Sequence, residues 1–256
     1  MMHIMPENTV CAHGLRAHTC RFVVMPAAHS GSGLELLYLD RYCAVVDKPS
    51  GLLAVPGRGP DREDCVTSRL RRLCPWCIGQ PAAHRLDMDT SGLMVLGLSA
   101  VAQRHLSAQF ASRSVQKSYV ALLDGPVAGT SGTIRLAFRL DPENRPYQIY
   151  DPVQGKMGLT LWKKLWQEKG KTCMALYPHT GRTHQLRLHT SHPLGLGCPI
   201  VGDRLYGSGR AAGQLCLHAA FLAFRHPVNG RLLRFYSPPP FLDGAALARL
   251  ADDWLV

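Results

Sequence analysis

Apolar residues in this chain fall into short runs separated by turn-forming residues, and most runs have the length of a strand rather than a helix. Residues 34–39 and 42–47 are two such runs on either side of Asp40-Arg41, which predicts a strand pair. Residues 93–98, LMVLGL, are uninterruptedly apolar and predict a buried strand. Further strands are expected at 117–123, closed by Asp124-Gly125-Pro126, and at 133–140. Two more are expected at 159–166 and 173–177, with Lys169-Gly170-Lys171 as the turn between them. Residues 215–224 and 232–236 form a last pair around Asn229-Gly230, a strong hairpin signal.

Helical patterns are fewer. One is expected at 65–73, one after Ser99 as N-cap and reaching about residue 111, and a short one at 183–191 with Gly181 or Thr183 near its start. Residues 49–60 are too rich in Gly and Pro for regular structure. Strands outnumber helices and lie close together in sequence. That pattern predicts an α+β fold on a mixed, largely antiparallel central sheet flanked by helices and loops.

The chain has 256 residues, enough for one substantial core, and no apolar run approaches the roughly 18 residues of a membrane span. No membrane association is expected. Gly31-Ser32-Gly33 marks a break, so residues 1–33 are read as an N-terminal extension, flexible or targeting, and 34–256 as one folded domain. The extension has Arg16, Arg21 and a single acid, Glu7, but no apolar core of a secretory signal, and Pro6 and Pro26 interrupt any amphipathic helix. A cytoplasmic monomer is expected, with organelle import as the alternative if the extension is a targeting peptide.

Nine scattered cysteines, an odd number, point to a reducing compartment rather than a disulfide framework. Cys74-Pro75-Trp76-Cys77 is the one CxxC, and a zinc site there would need Cys11, Cys20, His13 or His18 to fold back onto it. Loop cysteines are the simpler expectation, with no metal and no cofactor. The balance of 29 basic to 18 acidic residues, a formal net charge of +11, favours a polyanionic partner, most commonly nucleic acid.

Against that scarcity of acid, HRLDMDTSG at 84–92 places two carboxylates beside His84 and Arg85. A carboxylate on a loop that feeds a buried strand is held by the strand, and Arg85 favours its ionised form, which suits a nucleophile or base. Spacing alone does not choose between Asp87 and Asp89. Asp89, in Asp-Thr-Ser-Gly, also fits a local turn-shaping role. A second polar cluster, HTGRTHQLRLH at 179–189, puts Arg182, Gln185 and His189 on one expected helix face and Arg187 with Thr183 and His184 on another. The helix start would offer N–H groups to a phosphate, and Arg182 or Arg187 could pair with a phosphate or a buried carboxylate.

HRLDMDTSGLMVL at 84–96, PHTGRTHQLRLH at 178–189 and PIVGDRLYG at 199–207, in that order, resemble the RluA-type pseudouridine synthases. VVDKPSGLLAVPGR at 45–58, QKSYVALL at 116–123 and LHAAFLAF at 217–224 are similar to further blocks of that family, so the resemblance covers about residues 34–240. NRPYQIYDPVQGKMGLT at 144–160 resembles the branch that modifies both transfer RNA and large-subunit ribosomal RNA and has no S4 domain. The resemblance implies a pseudouridine synthase fold around an RNA-binding cleft and a cofactor-free isomerisation of uridine in tRNA or rRNA. It implies Asp87 as the essential aspartate, acting on C1′ or assisting glycal formation, and Tyr119 as the aromatic that packs on the flipped base. It implies Arg187 as the basic partner of that aspartate and Arg85 as the arginine that fills the space the base leaves. Arg182, His84 and Gln185, from the two polar clusters, are expected as further RNA contacts.

The target atom lies inside a stacked RNA loop, so a basic cleft, an aromatic floor and a filling arginine are what extrusion of the base requires. The loop holding CPWC and the SHPLGLGC stretch at 191–198 are longer than the family pattern. Two other classes compete: an RNA-binding assembly factor that keeps the fold without turnover, and a zinc deaminase or nuclease. The latter needs a His-x-Glu partner for the CxxC, which Cys74 and Cys77 lack.

Overall fold

The computed structural model describes residues 28–29 and 33–250. The rest of the expected extension, with Cys11, Cys20, His13 and His18, lies outside the described residues.

The chain opens with β1 (Ala28–His29), β2 (Glu35–Leu39) and β3 (Cys43–Lys48), then α1 (Val66–Leu73), β4 (Ser91–Gly97) and α2 (Ala100–Ala111). Strands β5 (Gln116–Leu123), β6 (Ser131–Leu140), β7 (Gln148–Tyr150), β8 (Lys156–Glu168) and β9 (Lys171–Pro178) follow. The short α3 (Gln185–Ser191), β10 (Leu217–Arg225), β11 (Leu232–Tyr236) and α4 (Gly244–Leu250) complete the fold. All eleven strands join one sheet in the order β1-β2-β3-β4-β10-β5-β9-β8-β6-β7, with β11 also on β10. Every pairing is antiparallel except β4 with β10. The expected mixed, largely antiparallel α+β fold is therefore observed.

Local signals account for most boundaries. Every residue of β4 is buried, as its continuous apolar run implies. Ser99 caps α2 by accepting from the Ala102 N–H, and Cys65 caps α1 in the same way through its sulfur, accepting from the Ser68 N–H. Lys169 and Gly170 both have positive φ, 50° and 72°, the backbone of a tight two-residue hairpin turn that the sheet twist favours between β8 and β9.

Several elements depart from the sequence pattern. Strand β8 starts three residues earlier than expected, at Lys156, because exposed Lys156 and Met157 lie outside the apolar run yet pair with Phe138 and Ala137. The three-residue β7 is unforeseen because it is too short to show a pattern and is held by pairing with β6. Strand β10 begins at Leu217 rather than 215. Helix α3 begins only at Gln185, because His184 sits in the left-handed region at φ 54°, so Arg182 and Thr183 are not on the helix.

The parallel junction positions the functional elements. Ala219 of β10 pairs with Gly92 at the start of β4 on one side and with Tyr119 of β5 on the other. The backbones come so close that a Cβ at Gly92, which also has φ 112°, would run into Ala219. The loop 84–90 thus ends one strand away from Tyr119, whose ring packs against both of the larger apolar clusters. Leu186 and Leu188 anchor α3 in one of them, each burial being worth about 1.5–3 kcal/mol, without which seven residues would not hold a helix.

Candidate active site

A cavity of about 980 Å³ opens between the loop 83–90, the end of α2, the start of β5 and the segment 177–187. Arg85, Asp87, Arg113, Lys117, Arg182 and Arg187 all line it, five cations around a single carboxylate. Asp87 is half-buried, its carbonyl accepts from the Thr90 N–H, and no hydrogen bond or ion pair engages its carboxylate among the described residues. Its charge is nevertheless felt by Tyr119, His184, Arg187, Tyr206 and Lys48. Burial, reinforced by Asp87, raises the Tyr119 phenol well above its ordinary value, so this ring stays neutral. A carboxylate with open lone pairs in a cationic cavity can act as a nucleophile or a base.

Arg187 is buried, and its guanidinium is committed to Asp203 by two hydrogen bonds, Nε to Oδ2 at 2.8 Å and a terminal nitrogen to Oδ1 at 2.6 Å. It therefore does not form the expected direct pair with Asp87 but acts on it as a fixed positive charge. Against the cost of burial, the Asp203 bonds raise the pKa of Arg187, and those bonds with the N–H groups of Leu205 and Tyr206 hold Asp203 below the usual carboxylate range. The guanidinium also rests 5.4 Å over the Tyr206 ring. Tyr206 in turn accepts from the Gln148 N–H at 2.8 Å, its hydroxyl shares a hydrogen bond with His184 Nδ1 at 2.9 Å, and burial pushes the phenol up to about 12. Asp203 and Tyr206 are residues that sequence reasoning missed. The quoted PIVGDRLYG block contains both, but their partners lie 16 and 22 residues upstream.

Lys48 was missed as well. It is fully buried and its ammonium donates to the carbonyls of Pro49, Leu52 and Met88 at 2.7–2.9 Å, which ties β3 to the loop between Asp87 and Asp89. Burial pushes it down to about 8, against the pull of Asp87, Asp89 and Asp47. A lysine closing an apolar strand run was the available signal.

The other expected site residues divide. Arg85 and Arg182 are exposed at the cavity rim, and no hydrogen bond or ion pair holds either guanidinium among the described residues. His84 turns inward: Nε2 accepts from the Val95 N–H at 3.1 Å and the ring stacks on Phe110 at 4.2 Å. Burial, with Lys117 nearby, pushes it down to about 3, so it is neutral and offers RNA no charge. Gln185 is buried and used internally, accepting from Thr180 Oγ1 and the Arg182 N–H and donating to the Leu159 carbonyl and Thr160. These bonds shape the loop at the cavity wall, and the Arg182 N–H is not open to a phosphate.

Asp89 corrects the reading of a locally shaped turn. It is buried, and its carboxylate accepts from Arg204 Nε at 2.9 Å and the Gly213 N–H at 3.2 Å, so it clamps the segment 204–213 over the loop. All seven described cysteines are free thiols, and Cys74 and Cys77 belong to a turn after α1. Asp40, Cys43 and His226 bring three potential metal donors within 4.8 Å of one another. His226 Nδ1 accepts from the N–H groups of Val228 and Asn229, however, so Nε2 carries the proton and donates to Asp40 at 2.7 Å. That arrangement is a closed hydrogen-bond cluster, since a metal-bound histidine donates its second nitrogen.

An acidic side chain opened into a basic cleft beside a half-buried tyrosine, on a sheet split by one parallel junction, defines an enzyme that works on an anionic polymer. The sequence pattern of the RNA pseudouridylate synthases matches residues 42–192, more than half of the chain. The dual-specificity RNA pseudouridine synthase RluA of Pasteurella multocida is 44% identical over 212 residues, covering 81% of this chain and 94% of that protein. The Escherichia coli protein of the same name is 41% identical over the same shares. Among solved structures, human RNA pseudouridylate synthase domain containing 1 superposes with a TM-score of 0.66 at 32% identity, covering 83% of this chain and 86% of that one. The chain belongs to the RNA pseudouridylate synthase family. It is an enzyme that isomerises uridine to pseudouridine in RNA.

Proposed function

We propose that this enzyme modifies uridines in stem-loops of tRNA and/or rRNA, with Asp87 as its catalytic carboxylate. The observation that carries the reading is that Asp87 is the only carboxylate lining a cavity with five cationic side chains, and that none of them binds it directly. RNA phosphates meet Arg85 and Arg182 at the rim, the target uridine leaves the stack, and Arg85 fills its place. The uracil rests on Tyr119, whose burial keeps it neutral and able to hold a flat ring.

Chemistry then proceeds in one of two ways from the same carboxylate. As a nucleophile, Asp87 bonds to C1′ while the N1–C1′ bond breaks, the uracil turns, and C5 displaces the carboxylate from C1′. As a base, Asp87 removes the 2′ proton to give a glycal and free uracil, and returns it when C5 rejoins C1′. Either route ends with a C5 proton lost and N1 protonated, so the product is an isomer and no cofactor is consumed. Arg187, fixed by Asp203 and Tyr206, keeps positive potential behind the leaving uracil without moving.

In this reading residues 34–256 form the catalytic unit of a cytoplasmic monomer and 1–33 an extension. No described helix is long and apolar enough to cross a membrane. The dual specificity is taken from the name of relatives 40–44% identical along 78–81% of the chain; tRNA and rRNA are the two RNAs that the sequence resemblance implies. The test is carbodiimide primer-stop mapping of unmodified tRNA transcripts and rRNA fragments incubated with the enzyme. Stops at discrete uridines in either RNA class support the reading, and stops in neither would overturn it.

A further inference from the structure

Helix α2 ends in a Schellman motif. Ser112 is the C-cap, the Arg113 N–H donates to the Phe110 carbonyl at 3.2 Å, and the Ser114 N–H donates to the Gln109 carbonyl at 3.0 Å. The residue after such a cap takes left-handed backbone, and glycine fills that position most often because it alone lacks the Cβ penalty. Here it is Arg113, at φ 60°. The chain thus keeps an unfavourable backbone conformation to present a long cation at this point. A non-glycine residue in this region that also lines a functional cavity is where stored strain points to a role.

The side chain is exposed, lines the same cavity as Asp87, and has no hydrogen bond or ion pair among the described residues. Four residues on, Lys117 lines the cavity too. Its ammonium is half-buried, 5.9 Å over the Phe110 ring, and would lie 3.5 Å from a Cβ placed on Gly181 of the facing segment. No carboxylate offsets the burial that lowers its pKa, so an ammonium there gains from an incoming anion.

We infer that Arg113 and Lys117 form a phosphate-binding subsite on the α2 wall of the cleft, across from Arg182. It takes a backbone phosphate of the RNA strand next to the extruded uridine. Arg113 and Arg182 then grip the strand from opposite walls, while Lys117, deeper, receives the phosphate that enters with the flipped nucleotide. The subsite rests on the proposed RNA function and adds residues that hold register rather than carry out chemistry.

Arg113→Gly is the decisive variant, because glycine suits the left-handed cap and the fold gains rather than loses. The full chain, Arg113→Gly and Arg113→Lys are titrated with unmodified tRNA transcripts between about 50 and about 200 mM NaCl, and thermal midpoints are recorded. Arg113→Gly is expected to melt at or above the wild-type temperature. Its Kd should rise about three-fold, and its salt slope should fall by about 0.7–0.9, one phosphate's worth. Arg113→Lys should recover most of the slope, and in turnover the effect should fall on KM rather than kcat. Wild-type affinity and slope in Arg113→Gly would overturn the subsite; a lowered midpoint with them would leave Arg113 as a cation complementing the helix C-terminus. Pseudouridine formed by the wild type on the same transcripts reads the underlying function separately. A lost slope without wild-type product would keep the subsite and remove the tRNA assignment, whereas product with an unchanged slope would do the reverse.

Discussion

The loop 84–90 and the segment 179–189 both line the cavity, yet they use their polar side chains in opposite ways. The first leaves Arg85 and Asp87 unpaired and open. The second commits His184, Gln185 and Arg187 to internal hydrogen bonds and leaves the Arg182 guanidinium exposed and unpaired. The same contrast appears within the first loop, where Asp89, two residues from Asp87, is buried and tied to Arg204 and Gly213. A charged group held by two or three partners is scaffold, because its lone pairs or protons are already used. A charged group held in place by its backbone, with its own atoms free, is available for substrate.

That contrast breaks if the committed groups can be removed without harm to the fold. Arg187→Met should cost the most, about 3–5 kcal/mol, because Asp203 would be left buried without its partner. Chemical denaturation would read this as a lowered midpoint, and pseudouridine formation should be lost even in the folded fraction. Asp89→Asn should cost about 2 kcal/mol by loosening the Arg204 clamp. Its activity should persist below its lowered melting temperature.

Acid should weaken the second segment in particular. His189 is wholly buried, neither ring nitrogen has a hydrogen-bond partner, and burial pushes it down to about 4. A folded value below the unfolded one means that its contribution is fully present above about 6.5 and is lost as pH falls through about 4. Stability should fall by about 1.4 kcal/mol per pH unit from this group across that window, and His189→Phe should flatten the slope in denaturation curves taken between the two limits. Arg85→Ala and Arg182→Ala should change stability by less than about 0.5 kcal/mol while weakening RNA binding and reducing its salt dependence. A fall in melting temperature comparable to that of Asp89→Asn would show that these guanidiniums are structural after all.

Much of the framework was legible because its determinants are local. The apolar run behind β4, the serine that caps α2 and the Lys169-Gly170 turn each act over a few residues. Among the elements that sequence pattern missed, β7 and the first residues of β8 are held by pairing with β6 and are too short or too exposed to show a strand pattern of their own. The same distinction runs through the site. Asp87, Tyr119 and the rim arginines could be named from short blocks. The partner of Arg187 could not, because Asp203 is brought to it by the fold from beyond α3. His84 and Gln185 were read as RNA contacts; that each is also bonded inward, to the backbones of Val95 and Leu159, was not legible because the fold brings those strands to them.

The central claim is that Asp87 is free for chemistry and not needed for the fold. Single-turnover pseudouridine formation by Asp87→Asn, measured with its thermal midpoint, tests it most directly. The expected result is a midpoint within about 1 °C of wild type, since no contact is lost, with the rate reduced at least about 10³-fold as for loss of a covalent or general-base group. A folded Asp87→Asn enzyme that converts uridine at the wild-type rate would contradict it.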